Sequence, residues 1–203
     1  AVEGPLSLGE TGVLGDEQAD REVHGGPDKA VHHYPGDHYA DWRAELPSLA
    51  DRLVPGGFGE NLSTDGPVER TLCIGDVLGI GGAVVQVSQG RQPCWKLDAH
   101  LAHDGMAFLF QKTGRTGWYY RVLWPGEVAV GDAVVLRDRP NPGFTVERVT
   151  QARLGARIDP ATAAALADLP YLAEGWREAF RKKAGGAAAE DTSRRLLPPR
   201  GLG

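Results

Sequence analysis

Thr71-Leu72-Cys73-Ile74-Gly75-Asp76-Val77-Leu78-Gly79-Ile80 has an echo further along the chain, Ala129-Val130-Gly131-Asp132-Ala133-Val134-Val135-Leu136. Each is an apolar pair, a Gly-Asp turn and a β-prone run. Gly-Asp supplies a turn with positive φ at little steric cost. Between them lie two further strand signals. Ala83-Val84-Val85-Gln86-Val87-Ser88-Gln89 has β-branched alternation, and Thr116-Gly117-Trp118-Tyr119-Tyr120-Arg121-Val122-Leu123 is strongly aromatic. Short strands joined by glycine turns, interrupted by a helix after residue 94, predict a mainly β protein. The expected form is a distorted β-barrel with inserted helices rather than a βαβ sheet.

Outside that region the pattern changes twice. Residues 1–40 are rich in Gly, Asp and His and read as a long functional loop region with short strands. A helix is predicted from near Pro35 through Tyr39, Trp42 and Leu46, which share one face, and Pro55-Gly56-Gly57 ends that unit. From about Thr145 the spacing is helical. Val146, Val149, Ala152 and Leu154 suit one short helix, and Asp159-Pro160 is an N-cap followed by Pro at the first helical position. Leu172 to Ala184, with Trp176, Ala179 and Phe180, suits a third. The predicted organisation is a barrel over 1–144, a small three-helix unit over 145–184 and a flexible tail over 185–203.

Composition narrows the function. A net charge of −5 over 203 residues argues against a general nucleic-acid binder. No apolar run is long enough to span a bilayer, and no secretory signal opens the chain. The first residue is Ala1, which points to a start other than the native one. Two cysteines, Cys73 and Cys94, make a disulfide framework unexpected and fit a reducing, cytoplasmic compartment. They also exclude a four-cysteine iron–sulfur or zinc site within one chain, so electrons for any redox chemistry come from elsewhere.

Four segments carry candidate chemistry. Gly90-Arg91-Gln92-Pro93-Cys94-Trp95-Lys96-Leu97 places a thiol between a strand and a helix, where free amides and two cations favour a thiolate. That thiolate could be a nucleophile, a redox thiol or a metal ligand; Cys73, inside an apolar strand, reads as core. In His24-Gly25-Gly26-Pro27-Asp28-Lys29-Ala30-Val31-His32-His33-Tyr34, a turn followed by Asp-Lys can bind an anion, and the histidines can bind zinc or simply be solvated. Lys112-Thr113-Gly114-Arg115-Thr116-Gly117 is either a phosphate-facing turn or an ordinary connection with a surface Arg. In Phe58-Gly59-Glu60-Asn61-Leu62, Asn61 either anchors its loop or contacts a ligand.

Taken together these segments resemble the MOSC family, named for the C-terminal domain of molybdenum-cofactor sulfurase, in its YiiM-type stand-alone branch. The resemblance rests on Gly15-Asp16-Glu17-Gln18-Ala19-Asp20, His24 to Val31, Phe58 to Leu62, Ile74-Gly75-Asp76, Gln89 to Cys94 and Gly114 to Tyr119, in the family's order. The last stretch, about 146–184, resembles the small three-helix domain of this branch. The resemblance implies a MOSC-type β-barrel and binding of the molybdenum cofactor (molybdopterin). It also implies reduction of N-hydroxylated compounds such as toxic N-hydroxylated purine bases.

Cys94 maps onto the family's cysteine, the protein's thiolate ligand to molybdenum. Lys29, His32 and Arg115 are expected around the cofactor's phosphate, with Asn61 and Gln92 also in the cofactor site. Trp95 and Trp118 are either purine-stacking or core rings. The implied partners are a small N-hydroxylated substrate and a separate electron-donor protein, with no nucleic acid polymer and no membrane. The family carries a further strand ahead of the point where Ala1 stands, without which the barrel has an open edge. The sulfurase's large domain is absent, so neither desulfurase activity nor pyridoxal phosphate is expected. Two other functions remain open here: a non-catalytic cofactor or sulfur carrier, and a cysteine-dependent hydrolase using Cys94 with His32.

Overall fold

The two Gly-Asp turns fold alike. In the first, Asp76 Oδ2 accepts the Cys73 N–H at 2.9 Å while the Asp76 N–H donates to the Cys73 carbonyl at 3.0 Å. In the second, Asp132 Oδ2 accepts the Ala129 N–H at 2.7 Å and the Asp132 N–H donates to the Ala129 carbonyl at 3.1 Å. Gly75 and Gly131 take φ of 87° and 93°, the left-handed region that a side chain disfavours. The strands leaving these turns pair antiparallel with each other, Leu78 opposite Leu136 and Ile80 opposite Val134. The sequence echo is therefore a spatial one.

The structure, a computed structural model, describes residues 4–15, 26–187 and 190–197. Its strands are β1 (Leu6–Gly9), β2 (Gly12–Val13), β3 (Val31–Pro35), β4 (Leu62–Thr64), β5 (Val77–Ile80), β6 (Ala83–Gly90), β7 (Trp118–Trp124), β8 (Gly126–Val128) and β9 (Val134–Asp138). Six of them form a curled mixed sheet in the order β4-β3-β7-β6-β5-β9, and β2-β1-β8 form a second, three-stranded sheet. The result is the half-open barrel expected from the strand pattern.

Alternation along β6 decides what the sheet covers. Ala83, Val85 and Val87 enter the barrel core with Val31, Leu78, Ile80, Trp118 and Tyr120. Gln86 and Ser88 are buried too, and both are satisfied. Gln86 donates to the Gly75 carbonyl and accepts from Arg121, while Ser88 Oγ lies within hydrogen-bond reach of the Asp28 and Tyr119 carbonyls. Arg121 also binds Asp28 Oδ1 at 2.6 Å, so the Pro27–Lys29 turn is pinned to the sheet from two sides.

A second core lies under α1 (His38–Glu45), α2 (Lys96–Leu101) and α3 (Met106–Thr113). It is built from Tyr34, Tyr39, Trp42, Phe58, Phe110, Met106 and Leu101. The expected start of α1 near Pro35 moves: Pro35 closes β3, and Gly36 donates to the Thr64 carbonyl before the helix begins at His38. Tyr39 and Trp42 are buried as their spacing requires.

The C-terminal helices are α4 (Val146–Leu154), α5 (Pro160–Ala167) and α6 (Glu174–Ala184). Thr145 caps α4 by accepting from Arg148 N–H, and Asp159 caps α5 from Thr162 N–H with Pro160 in the first turn. Val146, Val149, Leu166, Trp176 and Phe180 join the barrel core, so the three-helix unit is packed on the barrel. Lys183 of α6 donates to the Ala152, Arg153 and Gly155 carbonyls, satisfying the end of α4.

One expectation is corrected. Residues 190–197, read as part of a flexible tail, carry α7 (Ser193–Leu196), and Leu196 packs against the second core. A four-residue helix leaves no periodicity to read, and its anchors are all tertiary. The Gly15–Asp20 motif, beyond Gly15, and the His24-Gly25 pair lie outside the described residues.

Candidate functional site

The site is assembled on one face of β3 and β7. Their antiparallel register sets His32 opposite Tyr119, with Val31 opposite Tyr120 and His33 opposite Trp118. Period-2 alternation then sends Val31, His33, Trp118 and Tyr120 into the barrel, and His32, Tyr34 and Tyr119 to the other side. The His32 and Tyr119 rings sit 5.1 Å apart. On the opposite flank of β7, Tyr119 pairs with Gln89 of β6, two residues before Arg91.

The Phe58–Leu62 loop anchors this group. Glu60 accepts hydrogen bonds from Gly56 N–H, Phe58 N–H and the Tyr39 hydroxyl, which fixes the loop's shape. Asn61 clasps His32 twice: its N–H donates to the His32 carbonyl at 2.9 Å, and its Oδ1 accepts the His32 N–H at 2.8 Å. The Phe58 carbonyl takes Arg91 Nη1 at 2.6 Å, and the same nitrogen stands 3.5 Å from His32 Nδ1. Asn61 thus anchors its loop, and in doing so it positions the imidazole.

His32 is buried, and its Nε2 makes no well-formed hydrogen bond within the described residues, although the Gly59 and Thr116 carbonyls face the ring. Burial holds its pKa well below the usual histidine range. The Arg91 charge adds to that, and the carbonyls of Gly59 and Thr116 oppose it in part. With Arg91 donating to Nδ1, the tautomer that fits carries its proton on Nε2. Gly117 lies against that nitrogen with φ of 68°, and a side chain there would run into the His33 carbonyl. A buried polar atom without a well-formed hydrogen bond costs about 1–3 kcal/mol, which makes Nε2 a candidate ligand contact.

His33 is the contrasting neighbour. Its two nitrogens bond Tyr120 and Thr64, and burial lowers its pKa to about 3. Both histidines are neutral in the fold and bind protons more readily when unfolded, where their pKa is about 6.5. Stability attached to them is therefore complete above pH ~6.5 and is lost as pH falls below it, at about 1.4 kcal/mol per pH unit for each. Urea unfolding of the wild type and of H33Q between pH 4.5 and 6.5 checks this: the variant's curve should fall less steeply by one proton's slope.

Cys94 follows β6 by four residues, half-buried between Pro93 and Trp95. The expected seam between strand and helix is present, but its amides are occupied. Trp95 N–H donates to the Arg195 carbonyl, Leu97 N–H to the Cys94 carbonyl and Asp98 N–H to the Trp95 carbonyl. The six-residue α2 is also too short to contribute much of a dipole. Cationic neighbours are what remain near the thiol. Tyr119 connects the two halves of the site: burial raises its pKa, the Cys94 charge adds to the rise and Arg91 opposes it, so its phenol keeps its proton.

Among the described residues no hydrogen bond joins Cys94 to His32, whose Nδ1 faces Arg91, so the pairing a hydrolase needs is not formed. Cys73 is 2% exposed in the core, and its thiol is pushed up by burial and then by Asp76.

Lys29 sits half-buried at the start of β3, its pKa lowered by burial and partly restored by Asp28. Gln92 is half-buried two residues before Cys94. Arg115 is engaged elsewhere. Its guanidinium lies 3.8 Å over the Trp42 ring and pairs with Glu45 at 2.6 Å, on the rim of a cavity of about 340 Å³ shared with Asp37, Asp41 and Glu69. Trp118 is fully buried in the barrel, whereas Trp95 is half-exposed beside Cys94. Among the described residues no three His, Cys, Asp or Glu side chains converge on a metal position.

Residues 20–135 match the MOSC domain, and residues 144–183 match the YiiM-like 3-alpha helix domain. The chain belongs to the MOSC family. It is 40% identical over 195 residues to protein YiiM of Escherichia coli (strain K12), covering 96% of this chain and 87% of that protein. The crystal structure of YiiM from Escherichia coli aligns with a TM-score of 0.87 at 37% identity, covering 97% of this chain and 93% of that one. YiiM from Geobacillus stearothermophilus aligns with a TM-score of 0.78 at 32% identity, covering 90% and 86%. A protein named reductase from Gibberella moniliformis (strain M3125 / FGSC 7600) is 43% identical over 155 residues. That match takes in 74% of this chain but 28% of the larger relative.

MOSC domains are associated with the molybdenum cofactor, and the residues here fit such a group. A thiol supplies the soft donor that molybdenum favours, Arg91 and Lys29 supply cations for a phosphate, and His32 Nε2 is a buried polar atom without a well-formed hydrogen bond among the described residues.

Proposed function

We propose that this MOSC chain holds the molybdenum cofactor and works as an oxidoreductase on N-hydroxylated compounds, N-hydroxylated purine bases among them. Electrons come from a separate donor protein. The observation that carries the reading is the grouping of Arg91, His32 and Tyr119 on one side of the sheet, with the Cys94 charge acting on the Tyr119 phenol. The relative named reductase supports the reaction class. The two cysteines, free in the fold, suit a reducing cytoplasm.

When bound, the cofactor supplies two-electron redox chemistry. Reduction of an N–OH group consumes two electrons and two protons and releases water. Cys94 is the protein's ligand to the metal, and deprotonation of its thiol accompanies binding. Arg91, held by the Phe58 carbonyl, takes the place expected for Arg115 as the phosphate-binding guanidinium, with Lys29 as the second cation offered to the phosphate. Asn61 holds His32 in register, Gln92 stands two residues before Cys94 in the same loop, and the Tyr119 phenol keeps a proton available for hydrogen bonding to substrate.

Protein made in a host with an intact cofactor pathway should contain molybdenum near one per chain and reduce hydroxylaminopurine with an artificial donor. Tight cofactor binding without reduction of any N-hydroxylated substrate would make the chain a carrier instead. R91A should weaken cofactor retention by about 10–100-fold, the worth of one charge-assisted hydrogen bond. R115A should leave retention intact and lower the melting temperature, because it unties α1 from the turn before β7. The reverse pattern in a side-by-side metal analysis would return the phosphate to Arg115.

A further inference from the structure

We infer that the segment 190–197 is a clasp that positions the Cys94 loop, with Arg195 as its positioning residue. Arg195 grips the loop on both sides of the cysteine. Its Nη1 donates to the Pro93 carbonyl at 2.5 Å, and its own carbonyl accepts the Trp95 N–H at 2.8 Å. These two bonds bracket Cys94 between fixed peptide groups. The Arg195 Nη2 donates to Gln111 Oε1 of α3 at 2.7 Å, which orients the guanidinium plane.

The clasp is itself anchored at both ends. Glu190 pairs with Arg153 at the end of α4 at 2.5 Å and with Arg195 at 3.6 Å. Leu196 packs into the aromatic core beside α1 and α3. An ion-pair ladder, Arg153–Glu190–Arg195, thus runs from the three-helix unit to the cysteine loop. Arg153 and Arg195 side chains are only 12% and 15% exposed while Glu190 between them is 37% exposed, so this ladder is screened in part. Pro93 has no N–H to hold the loop from within, and the Trp95 N–H, at the N-cap of α2 where no intrahelical partner exists, bonds the clasp. The three-helix unit thereby contributes to the site without lining it.

The test does not depend on the cofactor. In apo full-length protein, amide exchange over Trp95 to Leu97 should quicken by about tenfold or more in R195Q, as expected when a local hydrogen bond opens. Exchange in the three helices of 146–184 should stay unchanged. R195K, which keeps the side-chain cation (both variants keep the backbone carbonyl that accepts the Trp95 N–H), should recover part of the protection. E190Q should loosen the same segment to a smaller degree.

Unchanged exchange at Trp95 to Leu97 in R195Q would overturn the clasp, and so would an equal rise throughout the chain. In cofactor-loaded protein, R195Q should lower kcat with KM nearly unchanged. A clasp demonstrated in the apo chain, together with no metal in the wild type, would separate failure of the cofactor reading from failure of this one.

Discussion

Replacing Cys94 with serine should leave the fold intact and remove both molybdenum and N-hydroxyl reduction. The thiol is half-buried in a connecting loop and belongs to neither hydrophobic core, so exchanging sulfur for oxygen costs little packing. A stability change within about 1 kcal/mol is expected, as for other substitutions away from cores and networks. The chemical change is much larger. A serine hydroxyl does not ionise near neutral pH and is a hard donor, so it cannot stand in for a thiolate on a soft metal position.

Loss of a residue that merely supports a metal ligand costs about 10–100-fold, and loss of the ligand itself should exceed the upper end of that range. C73S is the matched control. Cys73 is 2% exposed, so its hydroxyl would be buried, costing about 1–3 kcal/mol in stability with metal content unchanged. Metal analysis and melting of the two variants should give opposite patterns. Retained molybdenum in C94S would remove Cys94 from the metal.

What the sequence revealed follows the range of the interactions involved. The caps at Thr145 and Asp159, the Gly-Asp turns and the alternation of β6 are set by residues within a few positions of one another, so they were legible. The pairing of His32 with Tyr119 was half legible. Alternation separates Tyr119 from Trp118 and Tyr120, but nothing local says that β7 lies beside β3. Arg91 was visible only as a cation near Cys94. Its grip on the Phe58 carbonyl, 33 residues away, emerges from the fold alone.

The surroundings of Arg115 were not legible, because a Gly-Arg-Thr-Gly turn looks the same whether its guanidinium is free for a phosphate or, as here, stacks on Trp42 and pairs with Glu45. The supposed free amides at the start of α2 were a miss, since the chain that occupies one of them lies about a hundred residues downstream. Arg195 reaches Trp95 only after the three-helix unit has folded the C-terminal segment back.

The repeated Gly-Asp turn contains its own comparison of buried and exposed charge. Asp76 is 0% exposed and holds Arg139 through Oδ2 at 2.6 Å, whereas Asp132 is exposed and serves only to accept the Ala129 N–H. D76N keeps an oxygen for the Cys73 N–H but sets a neutral amide against a guanidinium. Breaking a buried ion pair costs about 3–5 kcal/mol, and the 33% exposure of the Arg139 side chain favours the lower end. At about 2–4 °C per kcal/mol for a chain of this size, the melting temperature should fall by roughly 6–12 °C.

D132N removes only charge from a solvated hydrogen bond, so it should cost about 1 kcal/mol or less. The difference should reach the site. Gly75 N–H donates to the Val87 carbonyl and Val87 N–H to the Asp76 carbonyl, so this turn helps hold the strand that ends at the Cys94 loop. Cofactor should therefore leave D76N at a lower temperature than it leaves D132N, in step with each variant's unfolding. Equal melting shifts for the two would show that the buried Asp76–Arg139 pair is no stronger than the exposed turn it duplicates.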